Sequence, residues 1–281
     1  MPSTVLRLRP KQRKTRRASD STWIATCQSP FAEKAFAIPS KVSDIQNRKG
    51  DLMNRTIVVG DIHGCFDELI SLLKKLDLQS ADKVVAVGDL TVKGPKSKDV
   101  LDLFMSDKRF SSVLGNHDLG LVRFWKGETT NLKDSLARTW EELKSVSERY
   151  LQYLASLPLM VDLGKHLVVH AGVRPGVPLN QQSPGDLTEL RTLGPDRTSR
   201  KGMPWYEEYD GEKVVLFGHW PAAEPRRGKR AIGLDTGCVY GYCLTAYVLE
   251  TGEFISTPAA RAYDVPTLPC MRPSEDRFPP G

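Results

Sequence analysis

The 281-residue chain reads as an α/β fold whose first half is a largely parallel sheet. Three observations carry that class. From residue 55 onward, short apolar, β-branched runs alternate with stretches of helical period. Several of these runs end in Gly followed at once by Asp, Asn or His. The composition, 40% hydrophobic and 26% charged, gives enough apolar material for one large domain or two small ones. No apolar run approaches the roughly 18–20 residues that a spanning helix needs. The five cysteines are an odd number with no Cys-x-x-Cys pair, so they read as reduced thiols in an intracellular protein.

Taken in order, Thr56–Val59 is the first buried strand, and Leu69, Leu72, Leu73 and Leu76 follow at helical spacing. Lys83–Val87 is a second strand, Val100, Leu101 and Phe104 mark a second helix, and Ser111–Leu114 is a third strand. Leu132, Leu136, Trp140, Leu143, Val146, Tyr150 and Leu154 predict one long amphipathic helix. Beyond it the chain is strand-rich, at Leu159–Asp162, His166–His170, Val214–Phe217, Ile232–Asp235 and Leu244–Leu249. The folded domain is placed at 53–257.

The net charge of +6 is unevenly spread. Residues 1–50 hold 11 Lys/Arg against Asp20, Glu33 and Asp44, so this stretch carries +8 and the remainder −2. Such a segment cannot bury enough surface to offset its ordering entropy. It reads as a disordered extension (1–52), a mitochondrial presequence or an anchor for a polyanion. The cytoplasm is the expected compartment, with the mitochondrion as the alternative. Residues 258–281 hold six prolines and are expected to form an unpacked tail.

The chemistry sits at the strand ends. They read Gly60-Asp61-Ile62-His63-Gly64, Gly88-Asp89, Gly115-Asn116-His117-Asp118, His170-Ala171-Gly172 and Gly218-His219. Ligands of open α/β sheets bind outside the carboxyl ends of the strands, so five such ends would share one crevice. Four of the five histidines stand in these motifs. Asp, Asn and His without thiolate suit Mn, Fe, Co or Zn in a catalytic site. Six ligands are too many for one open ion and right for two: Asp61 and His63 on one side, Asn116, His170 and His219 on the other, with Asp89 bridging. Two ions about 3.5–4 Å apart polarise an oxyanion and lower the pKa of a shared water. The expected cofactors are therefore two divalent ions, manganese foremost. Such a centre stays positive after its two carboxylates are counted, so it favours a phosphate guest. His117 is left to protonate the leaving oxygen.

These motifs resemble the metallophosphoesterase (calcineurin-like) superfamily, its phosphoprotein-phosphatase-like branch, and within it the ApaH-like phosphatases, which are similar to symmetrical diadenosine tetraphosphatases. The resemblance spans about Arg55 to Leu249. It implies a β-sandwich of mixed sheets flanked by helices with a dimetal site at one sheet edge. It also implies Asp61, His63, Asp89, Asn116, His170 and His219 as metal ligands, and His117 as the catalytic acid.

Protein Ser/Thr phosphatases have Gly-Asp-x-x-Asp-Arg-Gly where this chain has Gly88-Asp89-Leu90-Thr91-Val92-Lys93-Gly94-Pro95. Val92 replaces the Asp that would orient the catalytic His, and Lys93 replaces an Arg clamp with a point charge. Arg174 and Arg191 are the candidates to supply a two-pronged phosphate clamp, beside Lys93 and Asn116. Arg226, Arg227, Lys229 and Arg230 form either a basic rim for a polyanion or a solvated loop.

The expected activity is therefore hydrolysis of phosphoanhydride bonds in nucleotide polyphosphates such as diadenosine tetraphosphate. Capped RNA ends, inorganic polyphosphate and phosphoproteins are rival substrates, and a silent binding scaffold is the rival class. The expected partner is a polyanionic phosphate substrate, with neither a membrane nor an obligate protein partner. No Gly-x-x-x-x-Gly-Lys-Ser/Thr loop or Gly-x-Ser-x-Gly elbow is present.

Overall fold

A computed structural model describes residues 54–265, apart from Asn131 and Lys133. The basic extension and the last sixteen residues, 266–281, lie outside the described residues. Among those described, the strands are β1 (Thr56–Val59), β2 (Lys83–Ala86), β3 (Phe110–Ser112), β4 (Met160–Leu163), β5 (His166–Val169), β6 (Thr192–Leu193), β7 (Met203–Pro204), β8 (Val214–Phe217), β9 (Arg226–Arg227), β10 (Ala231–Gly233), β11 (Cys243–Val248) and β12 (Glu253–Pro258). The helices are α1 (Phe66–Lys75), α2 (Ser97–Ser106), α3 (Asn116–Trp125), α4 (Asp134–Leu143), α5 (Ser147–Ser156), α6 (Pro184–Glu189) and α7 (Trp205–Glu208).

Two mixed five-stranded sheets form, in the orders β12-β11-β1-β2-β3 and β4-β5-β8-β10-β9. In the first, β1, β2 and β3 run parallel, and β11 and β12 complete it antiparallel. In the second, β5, β8 and β10 run parallel between antiparallel edges. The runs are apolar at nearly every position because both faces of each sheet are covered. In β1, Ile57 and Val59 join α1 and α2 in one core, while Val58 meets Val85, Val168 and Leu216 in a cluster drawn from both sheets. Phe217 and Trp205 anchor a third cluster. Full burial of each Val, Leu or Phe contributes roughly 1.5–3 kcal/mol, so the sandwich is held mainly by these clusters. Its consequence for chemistry is geometric: three parallel strands in each sheet deliver their carboxyl ends, and the residues just after them, as sets.

Three expectations are corrected. The single long helix is two, because a 3-10 turn at Lys144–Val146 separates α4 from α5. Ser145, Val146 and Ser147 are weak helix formers, and a 3-10 turn still closes in three residues, so the apolar period runs through the break unaltered. The chain beyond 257 is packed rather than loose as far as Asp264. Ala259 donates its amide to Tyr242, Tyr263 and Asp264 donate theirs to the Val239 carbonyl, and the Tyr263 hydroxyl reaches Glu68 at 2.7 Å. Cys65 and Cys238 are free thiols, but Cys243 is disulfide-bonded, so the five cysteines are not all reduced. The short strands β6, β7 and β9 carry too few residues to show a period. No helix among the described residues is long and apolar enough to cross a membrane.

Candidate metal centre and active site

Asp61 and His63 follow β1, Asp89 follows β2, and Asn116 and His117 open α3 just beyond β3. His170 follows β5, and His219 follows β8. The glycines in these motifs are steric necessities. A Cβ at Gly115 would fall on Asp89 Oδ1, and one at Gly218 on Asp61 Oδ1. Several of the polar residues are themselves strained: His63, Asp89 and His219 have φ of 48°, 50° and 67°. Left-handed backbone at such residues costs of order 1–3 kcal/mol each and persists only where the surroundings enforce it.

The structure brings all six proposed ligands and His117 together. Asp89 Oδ2 lies 3.5 Å from His63 Nε2 and 3.5 Å from His170 Nε2, between the two halves of the cluster. Asn116 Oδ1 is 2.9 Å from His170 Nε2 and 3.0 Å from His219 Nδ1. Both Asp61 oxygens accept the His219 amide, at 3.2 and 3.1 Å. Asp89 Oδ1 accepts the His117 amide at 2.9 Å, an anion at the first turn of α3 where the helix dipole favours it. The His117 ring packs edge-on against His63 with centroids 5.1 Å apart.

The donor set fits divalent cations. His63 and His170 each give their Nδ1 proton to a backbone carbonyl, Thr91 at 3.0 Å and Val87 at 2.9 Å. That fixes the tautomer and leaves each Nε2 as a lone pair. Burial lowers His170 to about 4, so its ring is neutral and donates only once. Its Nε2 therefore faces Asn116 Oδ1 and Asp89 Oδ2 as one acceptor among others, an arrangement that a cation neutralises. The buried Nε2 of His219 has no hydrogen-bond partner at all. Asp61, Asp89 and His170 can share one ion, as can His63, Asp89 and His117, since within each set the ligand atoms lie within 4.8 Å of one another.

Electrostatics agree. Burial, then Asp235 and Asp89, raise Asp61 well above the carboxylate range. Asp89 is pushed up to about 6 by burial, against the pull of Lys93 and the His117 amide. Burial lowers His63 and His219 far below their ordinary value. An excess of buried carboxylates over neutral rings is costly without cations. A pH dependence follows. To bind an ion the carboxylates must lose protons, while the lowered histidines are already neutral, so affinity falls with acidity through the Asp89 range. The melting-temperature gain from Mn²⁺ is expected to be large at pH 7 and to shrink between pH 6.5 and 5, apparent affinity dropping about tenfold per pH unit per proton displaced. A gain that holds steady down to pH 5 would contradict this ligand set.

Of the candidate cations, Lys93 and Arg191 face the cluster and the others do not. Lys93 Nζ is 3.0 Å from His63 Nε2 and 5.3 Å from the Tyr240 ring centroid. Burial works against the Lys93 charge, but Tyr240, Asp89 and Asp235 outweigh it and raise the ammonium. The loop that presents it is strained, with φ of 72° at buried Val92 and 73° at Lys93. Arg191 Nε is buried without a partner, and burial followed by Arg200 lowers the guanidinium to about 10 while Asp235 and Asp89 attract it.

Arg174, by contrast, is paired with Asp186 at 2.9 and 3.1 Å. Of the basic residues at 226–230, read as either a rim or a solvated loop, the three arginines are committed elsewhere. Arg226 is buried on the Trp220 and Pro221 carbonyls and stacks on the Trp220 ring, Arg227 lies over Phe254, and Arg230 bonds to Gly211 and Glu212.

Two buried acids were missed. Asp235, two residues past β10, is raised by burial and senses Lys93, Asp89 and His170. Its signal was positional, since it follows the third parallel strand of the second sheet, but the adjacent Gly lies at 233 and is separated by Leu234. Asp118 accepts the Leu90 and Thr91 amides, each at 3.0 Å, and the Thr91 hydroxyl at 2.6 Å. It thereby clamps the Asp89 loop to α3.

This α/β sandwich with its cluster of Asp, Asn and His defines a metal-dependent phosphohydrolase. The chain belongs to the calcineurin-like phosphoesterase family, which it matches over residues 54–242. Among its relatives is the asymmetrical bis(5'-nucleosyl)-tetraphosphatase PrpE of Bacillus subtilis, 33% identical over 236 residues, covering 74% of this chain and 96% of that protein. The Geobacillus enzyme of the same name is 31% identical over 235 residues, covering 73% of this chain and 95% of its own. A crystal structure described as a proposed diadenosine tetraphosphatase is 34% identical with a TM-score of 0.64, covering 74% of this chain and 95% of that one. A serine/threonine phosphatase from Saccharomyces cerevisiae shares the fold, with a TM-score of 0.51 at 18% identity over 76% of this chain and 82% of that one.

Proposed function

We propose that this chain hydrolyses a phosphoanhydride bond of dinucleoside tetraphosphates. The observation that carries the chemistry is Asp89, equidistant from His63 and His170 at 3.5 Å inside a ring of buried acceptors. The names of its relatives favour the dinucleotide substrate and an asymmetrical cut. Asp61, His63, Asp89, Asn116, His170 and His219 would hold two divalent ions, manganese foremost. When bound, these ions supply Lewis-acid polarisation of the phosphoryl group and a nucleophile near neutral pH.

The chain's own residues do the rest. Lys93 and Arg191 draw the phosphoryl oxygens into the cluster and offset their charge. Water attacks phosphorus, and the bond from phosphorus to the bridging oxygen breaks. His117, its amide fixed on Asp89, gives the departing oxygen its proton. Asp118 keeps the Asp89 loop and the first turn of α3 in register. Such a substrate places the action inside the cell, where nucleotide polyphosphates are made.

The test is turnover with Mn²⁺ of diadenosine tetraphosphate, capped RNA, inorganic polyphosphate and a phosphothreonine peptide. We expect the dinucleotide to be preferred, with unequal products, ATP and AMP. Two molecules of ADP would overturn the asymmetrical cut. Preference for the peptide would move the reading to a phosphoprotein phosphatase.

A further inference from the structure

A cavity of about 570 Å³ opens beside Lys93. One wall is α4, where Ser135, Arg138 and Glu142 recur a turn apart on a single stripe. The adjoining stripe of the same helix, with Leu136 and Leu143, is buried in the core. The opposite wall is the segment just past β12, with Arg261 and Tyr263. Lys93 lines this cavity and its Nζ lies 3.0 Å from His63 Nε2, so the cavity adjoins the metal cluster. The volume lies within the range of sites that enclose small ligands.

We propose that this cavity holds the nucleotide arm of the dinucleotide beyond the phosphate under attack; this rests on the function proposed above. Three cations, Lys93, Arg138 and Arg261, face one carboxylate, Glu142, in a body that is otherwise slightly acidic. The pattern suits a chain of phosphates leading away from the cluster. The Arg261 guanidinium lies over the Tyr263 ring at 5.3 Å, so an exposed guanidinium plane is presented on which a base can stack. Ser135 supplies a hydroxyl for a ribose, while the Glu142 carboxylate accepts the Lys98 amide at the start of α2 at 2.9 Å. The tyrosine is held in place through its hydroxyl by Glu68, so its ring is preorganised.

The experiment uses the full chain with Mn²⁺ and the double variant Arg138→Ala/Arg261→Ala. Both arginines are exposed, so the fold does not depend on them. Diadenosine tetraphosphate is compared with p-nitrophenyl phosphate, which has no arm to enter the cavity, and ATP and tripolyphosphate are used as inhibitors of the aryl phosphate reaction. We expect the ratio of kcat/KM for the dinucleotide to that for the aryl phosphate to fall about tenfold, the scale of two open charge-assisted contacts. The ATP inhibition constant should rise in parallel, and Arg138→Lys/Arg261→Lys should restore part of both.

An unchanged ratio together with an unchanged ATP constant overturns the proposal. Equal inhibition of the parent by ATP and tripolyphosphate overturns its nucleoside half. If the parent does not cleave the dinucleotide but ATP inhibition still weakens in the double variant, the proposed substrate falls and the cavity stands as a nucleotide site.

Discussion

Asp89→Asn is expected to lower kcat/KM by roughly three orders of magnitude or more, the scale of losing the charge stabilisation that bound divalent ions provide. The substitution is unusually clean. Asn keeps Oδ1 to accept the His117 amide, now held at 2.9 Å. Asn also tolerates the left-handed backbone at this position, where φ is 50°. Its amide nitrogen would sit where Asp89 Oδ2 lies 3.5 Å from the Nε2 atoms of His63 and His170, and would donate to them in place of a cation.

Fold and metal binding should therefore separate. Because folding raises Asp89 from 3.8 to about 6, the metal-free fold loses stability as pH climbs between those two values, and the loss is complete above them. At pH 7 the metal-free variant should be the more stable protein, by about 3 kcal/mol. The advantage should shrink as pH falls below 6 and vanish near pH 3, where the carboxyl is protonated in both the folded and the unfolded chain. Metal content, activity and melting temperature check all three. Retained activity with full metal loading would remove Asp89 from the centre of the site.

His117→Ala is expected to cost about 10²–10⁴-fold on diadenosine tetraphosphate, the usual worth of a positioned general acid. An aryl phosphate with a good leaving group needs little protonation, so its loss should be much smaller. The contrast between the two substrates is diagnostic because the His117 ring lies against His63 and one of its nitrogens lies within 4.8 Å of ligand atoms of His63 and Asp89, close enough for the three to share an ion. If both substrates slowed equally and one equivalent of metal were lost, His117 would be a ligand and not the acid. Val92, buried in the apolar core, cannot orient the ring as an acidic residue would. The His117 amide on Asp89 and the Asp118 carboxylate on the Leu90 and Thr91 amides restrain this turn of α3.

Fold class and the candidate donors that the fold brings together could be read from the chain because both are written locally. A β-branched run, a glycine and a polar residue occupy five or six consecutive positions, and β1, β2 and β8 repeat that grammar. Asp235 escaped because Leu234 stands between it and the glycine, and no histidine draws attention to it. The α4–α5 break escaped because a 3-10 turn leaves the apolar period intact. The packed segment at 259–264 escaped because its contacts, to Val239, Tyr242 and Glu68, come from far up the chain.

The sequence alone thus determined an α/β body with strand-end donors that suit two hard or borderline cations and a phosphate. Tertiary structure alone decided which positive charges face that cluster. Arg174 is spent on Asp186, twelve positions away, and Arg226 on the carbonyls and ring around Trp220, whereas Arg191 is left with an unpartnered, buried Nε beside the cluster. A long cation can reach many acceptors, and which one it meets is fixed by the packing of elements distant in the chain. The cavity at Lys93 has the same origin, since α4 and the segment past β12 carry no shared motif and meet only when the domain is folded.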